Sequence, residues 1–226
     1  LEPRGKCRRH SRLDMDYLFA LGEALGSDVS LRRVLRFRPN STLYPVGGRL
    51  RYVESGAAGE ERSYHLVSVE DSPPLRTVLG VAASGAKFEE LSASLLGEDV
   101  SRAEAEAFVG ELVDEQVLVP SLGLAITGPE PAVAMIAGLA GDTRTAGVAS
   151  RLEGAVRELA SIDDSGLGTE PARYRALASS LAGLAVEPEL SRLVQVDLVK
   201  ASPRATLGPR VLDELRRGVE LLRRVM

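Results

Sequence analysis

The chain has 226 residues, 44% apolar and 27% charged, with one cysteine and a net charge of −4. These values describe an ordinary globular domain or pair of domains. They exclude an internal disulfide framework and, for the chain as a whole, a polyanion-binding character. No uninterrupted apolar run of about 18 residues occurs and no secretory pattern opens the chain, so a cytoplasmic location is expected and no membrane span. Aromatic residues make up only 4% and Trp is absent, so the core must be built from Leu, Val and Ala, a composition that favours helices.

The chain opens at Leu1-Glu2-Pro3-Arg4 without Met, which suggests a piece of a longer protein. Arg4, Lys6, Arg8, Arg9, His10 and Arg12 then form a basic cluster. Two readings stand for it: a solvated tail, or contact with RNA phosphates through Arg8, Arg9 and Arg12. Cys7 and His10 are three apart, but no nucleophile motif surrounds them, and a mobile basic segment accounts for the pair. With His65 as the only other histidine, a zinc site built from Cys and His lacks ligands, and no cofactor is expected in the chain.

A helix is expected from Asp14, a suitable cap, with Leu18, Leu21 and Leu25 on one face and an end near Gly26-Ser27. Residues 31–37 read equally as a short helix or a strand, broken by Pro39. Thr42 to Val46 and Arg49 to Val53, separated by Gly47-Gly48, give a hairpin signal. A polar stretch, 55–61, leads to a third strand at Ser63–Val69. Three helices follow. Ser72-Pro73-Pro74 opens the first, Phe88, Leu91, Leu95 and Leu96 mark the second, and the Ser101/Glu104 capping box opens the third. Val117-Leu118-Val119 closes the series as a strand.

Three strands, three short helices and a closing strand over residues 41–120 spell a winged helix-turn-helix with a three-stranded antiparallel sheet. Such modules read DNA or bind peptides. The third helix offers Glu104, Glu106, Glu111, Asp114 and Glu115 against one base, Arg102, which disfavours phosphate contact. The strand at 63–69 could instead pair its edge with an extended peptide. Beyond a linker at 121–131, helices are expected at 131–140, 143–162 and 170–185. A strand follows at 193–200 and a last helix at 208–226 with Val211, Leu215, Val219 and Leu222 turned inward. The fold class is α+β, in three parts: 1–40, the module at 41–120, and a mainly helical region at 121–226.

Four segments carry a family resemblance in order: Arg12-Leu13-Asp14-Met15-Asp16-Tyr17-Leu18, Arg38-Pro39-Asn40-Ser41-Thr42-Leu43-Tyr44, Thr127-Gly128-Pro129-Glu130-Pro131, and Gln195-Val196-Asp197-Leu198-Val199-Lys200. With the module between the second and third, the chain resembles the amino-terminal, glutamylating region of class I lanthipeptide (lantibiotic) dehydratases. The resemblance implies that 41–120 is a RiPP recognition element holding the leader of a precursor peptide. Tyr64, His65, Leu66, Val67 and Val69 would then lie beside the leader, with Ala105, Phe108, Val109 and Leu112 facing it. It further implies Asp14 and Asp197 as acidic residues important for glutamylation, glutamyl-tRNA as co-substrate, tRNA as partner of the full-length enzyme, and a family that often forms homodimers. The family's members are far longer. Their early Thr-Pro-Phe-Gly-like turn and their elimination domain are missing here, so this segment is expected to be inactive alone. Two other readings stay open: a winged-helix DNA-binding transcription regulator with a helical dimerisation region, and a helical scaffold without a small ligand.

Overall fold

A computed structural model describes residues 7–58, 61–97, 99–122, 124, 128–166, 168–200 and 206–225. The architecture is α+β, with eight strands in three small antiparallel sheets and eight α-helices among the described residues. None of these helices is long and apolar enough to cross a membrane.

From Cys7 onward the basic lead segment is not a tail; Arg4 and Lys6 lie outside the described residues. Residues Cys7–Leu13 form β1, which pairs antiparallel along its whole length with β8, Val194–Lys200. Arg9 and Ser11 face inward, toward the end of α6 (Thr143–Asp164), and their side chains are nearly buried. Arg9 Nε donates to Asp163 at 3.0 Å, one guanidinium nitrogen donates to Thr169 at 2.7 Å, and the other donates to the Ile162 carbonyl. Ser11 donates to the same carboxylate through its backbone N–H and its hydroxyl, both at 2.6 Å. Partial burial pushes the Asp163 pKa up. The two Ser11 hydrogen bonds and then Arg9 outweigh that effect, and the carboxyl sits below its ordinary value.

Helix α1, Met15–Ser27, begins where its cap predicts: Asp14 accepts from the Asp16 N–H at 2.9 Å. Residues 29–34 make turns rather than a helix, and Arg36–Pro39 form β2. β2 is the central strand of a sheet completed by β6 (Ala86–Lys87) and β7 (Leu118–Pro120). The closing strand of the 41–120 segment therefore pairs with residues outside it.

β3 (Tyr44–Val46), β4 (Arg49–Ala58) and β5 (Glu61–Glu70) form a meander. Gly47 and Gly48 both have positive φ, as the tight two-residue hairpin turn requires. The polar stretch expected to be a connector continues the ladder as far as Ala58 opposite Glu61, because backbone pairing does not need apolar side chains.

β3 flanks β4 only at Arg49–Arg51. Further along, side chains replace the missing strand. Thr42 Oγ1 accepts from the Val53 N–H, and the Gln116 amide both accepts from Ser55 N–H at 2.9 Å and donates to Ser55 O at 2.6 Å. Asn40 Nδ2 donates to the carbonyls of Val53 and Gln116, while its Oδ1 accepts from the Thr42 N–H and hydroxyl, at 2.7–3.0 Å. All four hydrogen-bonding capacities of this buried amide are filled.

Helices α2 (Pro73–Ala82), α3 (Phe88–Ala93) and α4 (Arg102–Asp114) follow, with side-chain caps at Ser72 and Ser101. The core is continuous from this segment into α1, α5 (Pro131–Leu139), α6 and α7 (Pro171–Leu181). Gly22 of α1 lies against Leu122 and Leu124, and Gly26 lies so close to Pro120 that a Cβ there would overlap the proline ring. The last helix, α8 (Pro209–Val225), departs from expectation. Val211, Leu215, Val219 and Leu222 are all at least half exposed, because no described element packs against that face.

Three measurements follow from this packing. Asp163→Ala should cost about 3 kcal/mol in a denaturant titration, since it strands Arg9 in a nearly buried position. The folded-state pKa of Asp163 is lowered, so its stabilisation is complete above the ordinary carboxylate value of about 4 and is lost as pH falls through the lowered one. Acid should therefore depress Tm less in Asp163→Asn than in the parent chain. Asn40→Ala should also cost about 3 kcal/mol, since it removes four bonds from a buried junction. A loss under about 0.5 kcal/mol would show that water replaces them.

Candidate functional site

Among the described residues β5 pairs as a strand only with β4, so no strand occupies its outer edge. The opposite side of the β4 ladder cannot accept a chain, because β3, Thr42, Asn40 and Gln116 occupy it.

The two faces of β5 differ. Val67 and Val69 lie opposite Tyr52 and Leu50, pack against the core, and share that inward face with His65 opposite Glu54. Tyr64 and Leu66 point to the other side and are 64% and 59% exposed. The five β5 residues expected to line a peptide are thus divided between two faces, as strand geometry demands.

On α4, Ala105, Val109 and Leu112 are buried in the chain's own core. Only Phe108 remains partly exposed, packed on the core's margin. The acidic side chains of this helix are partly neutralised. Asp114 pairs with Arg32, and Glu106 pairs with Arg33 and Arg102. The Glu106 carboxyl is held below its usual pKa, first by the Arg102 hydrogen bond, which outweighs the upward push of burial, and then by the Arg33 charge.

Sequence reasoning missed the outward face of the meander. Tyr44, Arg51 and Ser68 lie side by side across its three strands, followed by Val53 beside Leu66 and Ser55 beside Tyr64. The alternation Arg49-Leu50-Arg51-Tyr52 carried the signal, because it turns both arginines outward and buries Tyr52. A cleft of 530 Å³ opens at the Tyr64 end, walled by Phe19 and Glu23 of α1, by Arg38, and by Val53 and Tyr64. Arg38 and Arg51 have no ion-pair partner among the described residues.

The other expected site residues lie elsewhere. Asp14 caps α1, and Asp197 pairs with Arg12 across the β1–β8 ribbon. Asp14 adjoins Leu193 and Asp197 lies opposite His10, so about 13 Å of strand separates them and the ribbon does not bring them together. Of the three arginines expected on RNA, Arg9 is buried against Asp163 and Arg12 is engaged by Asp197; Arg8 is exposed. The inward turn of Arg9 corrects the picture of a uniformly solvent-facing basic cluster. No group of three His, Cys, Asp or Glu side chains that could hold a metal occurs among the described residues.

Comparison with known proteins gives a consistent picture. No curated protein matches the sequence. Among solved structures, the chain is similar to the tRNA-dependent lantibiotic dehydratase MibB from Microbispora sp. 107891, with a TM-score of 0.65 at 19% identity. The match covers 88% of this chain and 20% of the other, so the present chain spans about a fifth of that protein's length. At that identity the likeness establishes the fold. The family model described as the N terminus of lantibiotic dehydratases matches residues 1–226. The chain therefore belongs to the lantibiotic dehydratase family and corresponds to its N-terminal region.

Proposed function

We propose that this chain is the part of a lanthipeptide dehydratase that grips the leader of a precursor peptide while the enzyme glutamylates Ser and Thr side chains. In this reading, β3–β5 with α2–α4 form a winged helix-turn-helix recognition element, and the leader adds as a strand on β5. The observation that carries it is the open edge of β5 in a sheet whose other side is closed by side chains. An added strand gains affinity from backbone hydrogen bonds and selectivity from alternate side chains. Phe108, partly exposed on α4, is the apolar side chain that this reading offers to the leader. Val109, Ala105 and Leu112 set its position from within the core.

The chemistry belongs to the longer enzyme. A Ser or Thr hydroxyl is a poor leaving group. Esterified by glutamate from glutamyl-tRNA, the oxygen leaves as the glutamate carboxylate when the α-proton is removed, and a carbon–carbon double bond remains. Holding the leader keeps the substrate portion at high effective concentration near the reacting groups. Asp14 and Asp197 enter as acidic groups of the glutamylation region with separate roles. Arg8 is the lead-segment cation open to tRNA phosphates.

A transcription regulator would need a basic recognition helix, and α4 carries Glu104, Glu106, Glu111 and Asp114. Fluorescence anisotropy separates the two readings. A labelled leader peptide of a lanthipeptide precursor should bind saturably, and Phe108→Asp should weaken it about tenfold or more. Salt-dependent binding of duplex DNA without leader binding would sink the proposal.

A further inference from the structure

We propose that α8 and the uncovered half of β8 form one docking surface for the part of a longer dehydratase that lies outside this chain. The partner face is an apolar groove edged on one side by carboxylates. The inference rests on the family assignment and not on leader binding at β5.

A helix of 17 residues gains most of its stability from whatever its apolar face packs against. In α8, Val211, Leu215, Val219 and Leu222 fall on one side at helical spacing, with Leu212 beside them. The first four are at least half exposed, and no described residue of the helix is buried. The ribbon that precedes it in sequence has a matching gap. Directly opposed residues of a strand pair share a face, so Leu198 and Val196 of β8 lie on the side of Arg9 and Ser11. Helix α6 packs against β1 and covers that half of the face. Arg9 and Ser11 are therefore nearly buried, whereas Leu198 and Val196 are 60% and 49% exposed. Among the described residues β8 pairs with no strand other than β1. A bare helix face, a bare apolar strip and an unpaired strand edge thus all fall within residues 194–225, while one core joins α1 to α7.

Length points to the occupant. This chain spans about a fifth of the solved dehydratase that it matches, so most of such an enzyme is available to cover these faces. Covalent linkage gives that protein a high effective concentration, which favours it over a second copy. Charge gives the character of the groove. Arg216 and Arg223 lie about two turns apart on one edge of the apolar face. Arg223 has no ion-pair partner among the described residues, and Arg216 reaches Asp213 only at 3.9 Å. Carboxylates on that rim of the groove would meet both. The far side of the helix mixes Asp213 and Glu220 with Arg217 and Arg224, a balanced face suited to water. A lipid surface fits less well. An anionic surface attracts cations on both edges of a helix lying in it, and Glu214 occupies the second edge.

Hydrogen–deuterium exchange read by mass spectrometry tests this, on the present chain and on a dehydratase that carries it as its N-terminal region. Residues 206–225 should exchange in this chain as fast as an unfolded peptide. In the longer enzyme they should exchange about a hundredfold more slowly, with 194–200 slowed as well. Leu215→Glu and Val219→Glu should leave the Tm of this chain unchanged, because neither side chain is packed in it. In the longer enzyme both should restore fast exchange over 206–225. Should those variants fail to fold there, the rim gives a milder check: Arg223→Glu should speed exchange about fivefold and Glu220→Arg should not. Equal exchange of 206–225 in the two proteins would overturn the inference. So would slow exchange in this chain alone. Protection that grows with concentration and vanishes with Val219→Glu would reassign the face to a second copy. Protection that needs phosphatidylglycerol vesicles would reassign it to a lipid surface. Leader binding at β5 can fail without moving any of these readings.

Discussion

The geometry of the candidate site depends on how one side of a small sheet is stopped. Beyond Arg51, β4 has no neighbouring strand on the side away from β5, and its N–H and carbonyl groups there would have to be satisfied by water or another chain. Instead Asn40, Thr42 and Gln116 fill that side with hydrogen bonds, and the Tyr52 hydroxyl donates to the Glu115 carbonyl at 2.7 Å. Gln116 takes a positive φ of 55° to do this, a strain worth about 1 kcal/mol that its bonds to Ser55 offset. Growth of the sheet is thereby confined to β5.

The same junction ties the module to the rest of the chain. Residues 115–117 hold the β4 ladder and the Asn40 turn at once, and β7 continues directly onto β2. Pro120, Leu122 and Leu124 then pass against the glycines of α1. The 41–120 segment is therefore not an independent bead on a linker. Its sheet is fixed in orientation relative to α1, and α1 forms one wall of the cleft beside Tyr64. Changes that loosen the 115–124 connection are expected to act on the site without touching it.

The β1–β8 ribbon shows how tertiary context reassigns charge. Three arginines in five residues look alike in sequence, yet strand alternation separates them. Arg9 goes inward to Asp163, where its burial is tolerated because three hydrogen bonds satisfy the guanidinium. Arg12 goes outward and is met by Asp197. The Arg9–Asp163 cluster fastens a ribbon formed by residues nearly two hundred positions apart onto the end of α6.

The sequence by itself determined what depends on neighbours within a few residues. Caps at Asp14, Ser72 and Ser101 set the starts of α1, α2 and α4, and Gly47-Gly48 marked the tight turn. The order of family-like segments also pointed to the family that the whole-chain match establishes. Only the tertiary structure decided what depends on a distant partner. It made a strand of the basic lead segment, placed β2 at the centre of a sheet, buried Val109 and Leu112, left the apolar face of α8 open, and exposed Tyr64 and Leu66. The physical reason is one of range. Capping and turn bonds close within a helical turn, whereas strand pairing and burial are fixed by whichever remote surface arrives, and no local pattern encodes that.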